Sequence, residues 1–110
     1  MNFRDFIITK SFLDILTSNR LSVINYKTDS IVVSAPARVV KKEIWEKHQL
    51  QIKTTEVGSL LKKYSIAGKY QSFSISNKVI NGLRFSDSKI VSLTEEVAEF
   101  EAGGLNAEDN

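Results

Sequence analysis

The stretch Lys53-Thr-Thr-Glu-Val-Gly-Ser-Leu-Leu-Lys-Lys-Tyr64 decides how the rest of the chain is read. Val57, Leu60, Leu61 and Tyr64 recur at i, i+3, i+4 and i+7, the spacing of one buried stripe on an α-helix. Thr55, Glu56, Ser59, Lys62 and Lys63 fall on the other side. Short hydroxyls and long cations are the side chains that reach base edges and phosphates. An ordinary core helix with a solvated outer face has the same pattern, so the flanking sequence must decide. Thr54 or Thr55 is placed to cap the helix. A capping box is absent, because no Glu or Gln lies three residues after Thr54. Gly58 costs up to ~1 kcal/mol against alanine inside a helix. Its missing side chain lets the preceding helix, or a phosphate backbone, come close.

On the C-terminal side, Gly68 ends this segment, and Tyr70–Ile75 and Val79–Phe85 read as two strands joined by Ser76-Asn77-Lys78. Asn81-Gly82 is a second hairpin signal, which permits strands over 70–80 and 83–93 instead. The shorter turn at 76–78, with Gly82 as a bulge, is the reading taken. Ser86-Asp87-Ser88 ends the ribbon. Thr94 is placed to cap a last short helix, Glu95 to Phe100, with acids in its first turn. Gly103-Gly104 breaks that helix, and Leu105 to Asn110 is expected to be disordered.

On the N-terminal side, Pro36 suits the first turn of a helix running to about His48, with Ser34 or Ala35 as cap. Val40, Ile44 and His48 are spaced by four, and Val39 and Trp45 extend the stripe. Leu21–Tyr26 and the β-branched run Ile31–Ser34 read as strands around the turn-forming Lys27-Thr-Asp-Ser30. The first helix, about Phe3 to Ser18, has Asn2 as its cap. Phe3, Phe6, Ile7, Leu13 and Leu16, widened by Phe12 and Ile15, give it a broad apolar stripe. That breadth predicts packing on two partners, or contact with another chain.

The expected fold is therefore α+β, in the order α-β-β-α-α-β-β, with an acidic, partly disordered C-terminal tail. Residues 1–90 form one domain, and 91–110 hold the short acidic helix and the tail. A short helix with a basic outer face, followed directly by a two-stranded ribbon, is the winged helix-turn-helix arrangement.

A chain of 110 residues is one domain by default. It has no cysteine, hence no disulfide framework or thiolate metal site. No run approaches the ~18 apolar residues of a membrane span. Arg4 and Asp5 near the N-terminus are not followed by a signal-peptide core, so a cytoplasmic location without membrane contact is expected. All 15 Lys and Arg lie at or before Lys89, with seven of the 13 acids, leaving that part at +8. The last twenty residues carry six acids and no base. A basic body with an acidic tail is a sign of a polyanion-binding surface, although a lysine-rich soluble surface looks similar.

Catalytic patterns are missing. One histidine without cysteine does not make a zinc site, and His48 reads as a core or helix-end residue. Gly103-Gly104 lacks the lysine and the strand-to-helix context of a phosphate loop. Glu95, Glu96, Glu99 and Glu101 read as a solvated face rather than a metal cluster. A non-enzyme with no cofactor and no metal is expected.

Over residues 3 to 90 the chain resembles the C-terminal winged-helix domain of TraI-type conjugative relaxases. The carrying segments are Asn19-Arg20-Leu21-Ser22-Val23-Ile24-Asn25, Ile31-Val32-Val33-Ser34-Ala35-Pro36, Val57 to Ile66, Phe73-Ser-Ile75, and Ile80-Asn-Gly-Leu-Arg-Phe-Ser-Asp87. A weaker similarity is to the terminal winged helix of phage and plasmid primase-helicases. The resemblance implies DNA handling during transfer or replication of a mobile element. It does not carry over a nuclease, whose catalytic parts lie in another domain.

The expected partner is DNA, duplex or single-stranded. Lys53, Lys62, Lys63, Lys69 and Lys78 would neutralise phosphates. Thr54, Thr55, Ser59 and Glu56 would face the bases, and Asn77 and Lys78 the backbone or minor groove. Only four arginines are present (Arg4, Arg20, Arg38, Arg84), which argues against strong base-specific reading. The alternative is a protein-interaction module, homodimeric or docked on a larger transfer or replication enzyme through Phe3, Phe6 and Phe12. In a third arrangement the acidic tail folds over the basic face as a mimic of nucleic acid.

Overall fold

Asn2 starts the first helix as expected, its Oδ1 accepting the Asp5 N–H at 2.8 Å. The computed structural model describes residues 1–104. In chain order they form α1 (Phe3–Thr17), β1 (Val23–Tyr26), β2 (Ser30–Ser34), α2 (Pro36–His48) and α3 (Thr54–Tyr64). Then come β3 (Gln71–Ile75), β4 (Lys78–Ser86), α4 (Asp87–Glu99) and a π-helical turn, Phe100–Gly104. The fold is α+β, with four α-helices on a four-stranded antiparallel sheet of order β1-β2-β4-β3.

The two hairpins meet at β2 and β4, where Val33 pairs with Leu83 and Ile31 with Phe85. Side chains alternate across a sheet, so these four share one face, and they join the core beneath the helices. Phe12 of α1, fully buried, packs on Phe85 with ring centroids 5.1 Å apart. The opposite face carries its own cluster: Tyr26 meets Phe73 edge-on at 5.2 Å, and the Arg84 guanidinium lies 5.0 Å over the Tyr26 ring.

The wide stripe of α1 is used within the chain. Phe6, Ile7, Ile8, Phe12, Leu13 and Ile15 are all buried, and α1 packs against α2, α3 and α4. Phe6 stacks on Phe100 at 4.5 Å. Phe6 and Phe12 are therefore core residues, and only Phe3 of the three expected interface rings is exposed. In α2, Val40 and Ile44 are fully buried, whereas Trp45 is 47% exposed and Val39 lies near the surface, so neither extends the buried stripe. His48 is exposed at the helix end.

Four local expectations change. Neither Thr54 nor Thr55 caps α3: Lys53 is the N-cap residue, without a side-chain cap bond. Leu21 is buried in the core but precedes β1, which begins at Val23. The β3–β4 turn is at Ser76-Asn77, and Gly82 is not a bulge. Its register is continuous on both sides, Ser34↔Gly82 and Gln71↔Gly82. A glycine is needed there because an added Cβ would overlap the Val33 carbonyl oxygen and lie 3.0 Å from its carbon.

The last change is the largest. The short helix expected over Glu95–Phe100 is the end of α4, which starts at Asp87. Ser86 ends β4 as expected and is also the cap of α4, with Oγ accepting the Lys89 N–H at 3.1 Å. Thr94 lies inside the helix and donates to the Ile90 carbonyl at 2.8 Å. Leu93 and Val97 of α4 are buried in the same core as α1 and the sheet. The disorder expected over Leu105–Asn110 falls outside the described residues.

Candidate nucleic-acid interface

Val57 and Leu61 are fully buried, and Leu60 and Tyr64 pack against the same core. This anchors one side of α3 and turns Thr55, Ser59 and Lys63 to the surface. The Tyr64 hydroxyl, 2.9 Å from Thr9 Oγ1, ties the last turn of α3 to α1. Burial raises the Tyr64 pKa above its ordinary value, partly offset by that hydrogen bond.

A groove of about 280 Å³ runs along the exposed side of α3. Thr54, Thr55, Gly58, Ser59 and Lys62 form one wall; Ala37 of α2 and Tyr70 before β3 form the other. Lys62 Nζ lies 5.4 Å over the Tyr70 ring, and burial pushes the Tyr70 phenol up. Four of the ten residues expected to touch DNA (Thr54, Thr55, Ser59, Lys62) therefore share one depression. Ala37 and Tyr70 complete it from outside α3, and no spacing marked them. Gly58 is part of the α3 wall, and an added Cβ there would lie 3.9 Å from the Ala37 Cβ, ordinary contact. Packing against α2 thus does not require a glycine at 58.

The other six, Glu56 among them, are placed differently. Lys63 is exposed, about 100° further around the helix than Lys62. Lys53, before α3, lines a separate cleft with Trp45. Lys69 is exposed in the loop before β3. Asn77 and Lys78 are exposed at the β3–β4 tip, about 20 Å along the strand from Tyr70. Ser76 and Asn77 have φ of +50° and +64°, the conformation of a two-residue primed turn, which suits Asn77 for a structural reason too.

Glu56 does not face the groove as a base-reading residue. Arg4 of α1 holds its carboxylate through two hydrogen bonds, of 2.7 and 2.9 Å. That pairing keeps the Glu56 carboxyl below the ordinary carboxylate range. The acidic segment is also engaged elsewhere: Glu101 pairs with Lys10 of α1 at 3.2 Å, away from the α3 groove. Among the described residues there is no cluster of three or more His, Asp or Glu set to hold a metal. Nor is any described helix long and apolar enough to cross a membrane. No protein-family model, curated protein or solved structure matches the chain.

Proposed function

We propose that this chain is a DNA-binding module of winged-helix type, with α2 and α3 as the helix pair and β3–β4 as the wing. One observation carries the reading: Thr54, Thr55, Ser59 and Lys62 line a single groove whose far wall, Tyr70, leads directly into the hairpin. The pairing of β2 with β4 also supports it, since it sets the hairpin beside the strand that precedes α2.

In this reading α3 lies against the major groove. The Thr55 and Ser59 hydroxyls meet base edges, and Lys62, Lys63 and Lys69 meet phosphates. Asn77 and Lys78 reach the backbone or the adjacent minor groove. Each neutralised phosphate releases counterions, so affinity falls steeply with salt. Arginine is scarce at this face, so recognition rests on backbone and shape more than on bases. A role in DNA transfer or replication of a mobile element is what the sequence resemblance to relaxase winged helices implies. The alternative, docking on a larger enzyme or on a second copy through α1, has one exposed ring, Phe3, to rest on.

The test is a salt titration of duplex binding by the wild type and by Lys62→Ala/Lys63→Ala. The reading expects a steep decline with salt and a slope shallower by roughly two in the double variant. Absence of duplex binding at low salt overturns it.

A further inference from the structure

Trp45, the chain's single tryptophan, is 47% exposed and lines a cleft of about 400 Å³. Leu50 and Ile52 form the apolar floor, and Lys41 and Lys53 stand at its rim. An exposed indole over an apolar floor leaves large apolar area in water without an internal use. The lysines of α2 differ in a telling way. Lys42 pairs with Glu46 at 3.8 Å and Lys47 with Glu43 at 3.3 Å. Lys41 and Lys53 form no ion pair among the described residues. Arg38 of α2 is likewise without an ion pair among the described residues, so what distinguishes Lys41 and Lys53 is their place beside the indole.

This cleft adjoins the α3 groove. Ala37, Lys41 and Trp45 are spaced by four along α2, so they lie on one side of that helix. Ala37 lines the groove, while Lys41 and Trp45 line the cleft. From Ala37 to Trp45 is about 12 Å along the axis, roughly three to four base spacings of a strand. On α3 the same junction falls between Lys53, in the cleft, and Thr54, in the groove.

We propose that the Trp45 cleft takes an unpaired base of a single-stranded segment that continues from nucleic acid seated on α3. The base stacks on the indole, and Lys41 and Lys53 meet the flanking phosphates. Stacking on an aromatic ring between cations is how single strands are held without sequence preference. The proposal rests on the nucleic-acid reading of α3 and adds a preference for a junction between duplex and single strand. An apolar peptide is the competing occupant. It would use the Leu50 and Ile52 floor and leave Lys41 and Lys53 at the rim without a role.

The test uses the full chain, a fifteen-nucleotide oligothymidine, a blunt duplex of the same length, and that duplex with a single-stranded extension. Trp45 fluorescence reports the cleft alone, because no other tryptophan exists. Anisotropy of labelled DNA gives affinities for wild type, Trp45→Ala and Trp45→Phe. The expected result is quenching by oligothymidine and by the extended duplex but not by the blunt one. Trp45→Ala should weaken the first two about tenfold, Trp45→Phe should retain most of the affinity, and the blunt duplex should be unaffected. Binding of blunt duplex that depends on Lys62, with no quenching and no effect of Trp45→Ala on any DNA, overturns the cleft proposal and leaves the α3 reading standing. Quenching by oligothymidine without duplex binding keeps base stacking on Trp45 but overturns the α3 reading and, with it, the junction preference. Binding of neither overturns both.

Discussion

Arg4 reaches across 52 positions of chain to hold Glu56, with Nε donating to Oε2 at 2.9 Å and Nη2 to Oε1 at 2.7 Å. This pairing turns the one acid of α3 toward α1 and leaves the groove side with hydroxyls and a lysine. Both partners are partly exposed, at 50% and 37%, and pairs of this kind contribute about 0–1 kcal/mol. Glu56→Gln should therefore change stability by less than about 1 kcal/mol in a denaturant titration. It should leave duplex affinity unchanged or slightly higher. A tenfold loss of affinity would mean that Glu56 contacts DNA after all.

Among the described residues Glu43 is the one buried carboxylate, with its side chain 4% exposed. Arg20 grips it at 2.6 and 3.0 Å, and Lys47 adds a contact at 3.3 Å. Chiefly through the Arg20 hydrogen bonds, its carboxyl is held below the ordinary carboxylate range. A depressed carboxylate contributes stability above the unfolded pKa and loses it as pH falls through the folded one. The melting temperature should thus hold near neutrality and drop below about pH 4.5. Glu43→Gln should flatten part of that drop. Arg20→Ala leaves the carboxylate buried with Lys47 alone and should lower the melting temperature at pH 7. An acid limb identical in wild type and Glu43→Gln would remove Glu43 from this role.

Gly58 and Gly82 separate packing from function. At Gly82 a Cβ would strike the Val33 backbone, so Gly82→Ala should destabilise by about 1–3 kcal/mol. At Gly58 the nearest atom to an added Cβ is the Ala37 Cβ at 3.9 Å. Gly58→Ala should raise stability by about 0.5–1 kcal/mol through helix propensity. If DNA enters the groove, the same methyl group narrows it and weakens duplex binding. A more stable Gly58→Ala protein with unchanged duplex affinity would argue that DNA does not approach α3 at that point.

Several elements were legible because their signals are local. The α3 stripe at 57, 60, 61 and 64, the Asn2 cap, Pro36 in the first turn of α2 and the 76–77 turn all depend on neighbouring residues. The start of α4 was missed although its stripe is present. Ile90, Leu93, Val97 and Phe100 recur at helical spacing, but Ser86-Asp87-Ser88 has the composition of a turn and of a cap alike. Gly82 was misread because its cause is the backbone of β2, which is distant in sequence. The surface position of Trp45 had the same kind of cause: whether a helix edge is covered depends on the loop that follows it.

The candidate site was half legible. Thr54, Thr55, Ser59 and Lys62 follow from the helix periodicity alone. Tyr70 and Ala37 enter the groove only through the packing of α2 and β3 around α3. The phenylalanines of α1 failed as an interface because hydrophobicity does not tell a core ring from a docking ring. Phe6 and Phe12 are covered by α4, the π-helical turn and the sheet.

The most direct measurement is amide chemical-shift mapping of the isotope-labelled chain titrated with duplex DNA at low salt. The DNA-binding account predicts that shifts concentrate at Thr54, Thr55, Gly58, Ser59, Lys62 and Tyr70, with a second group at Asn77 and Lys78. Shifts confined to α1 and α4, or no shifts at a protein concentration well above the micromolar range, would contradict it.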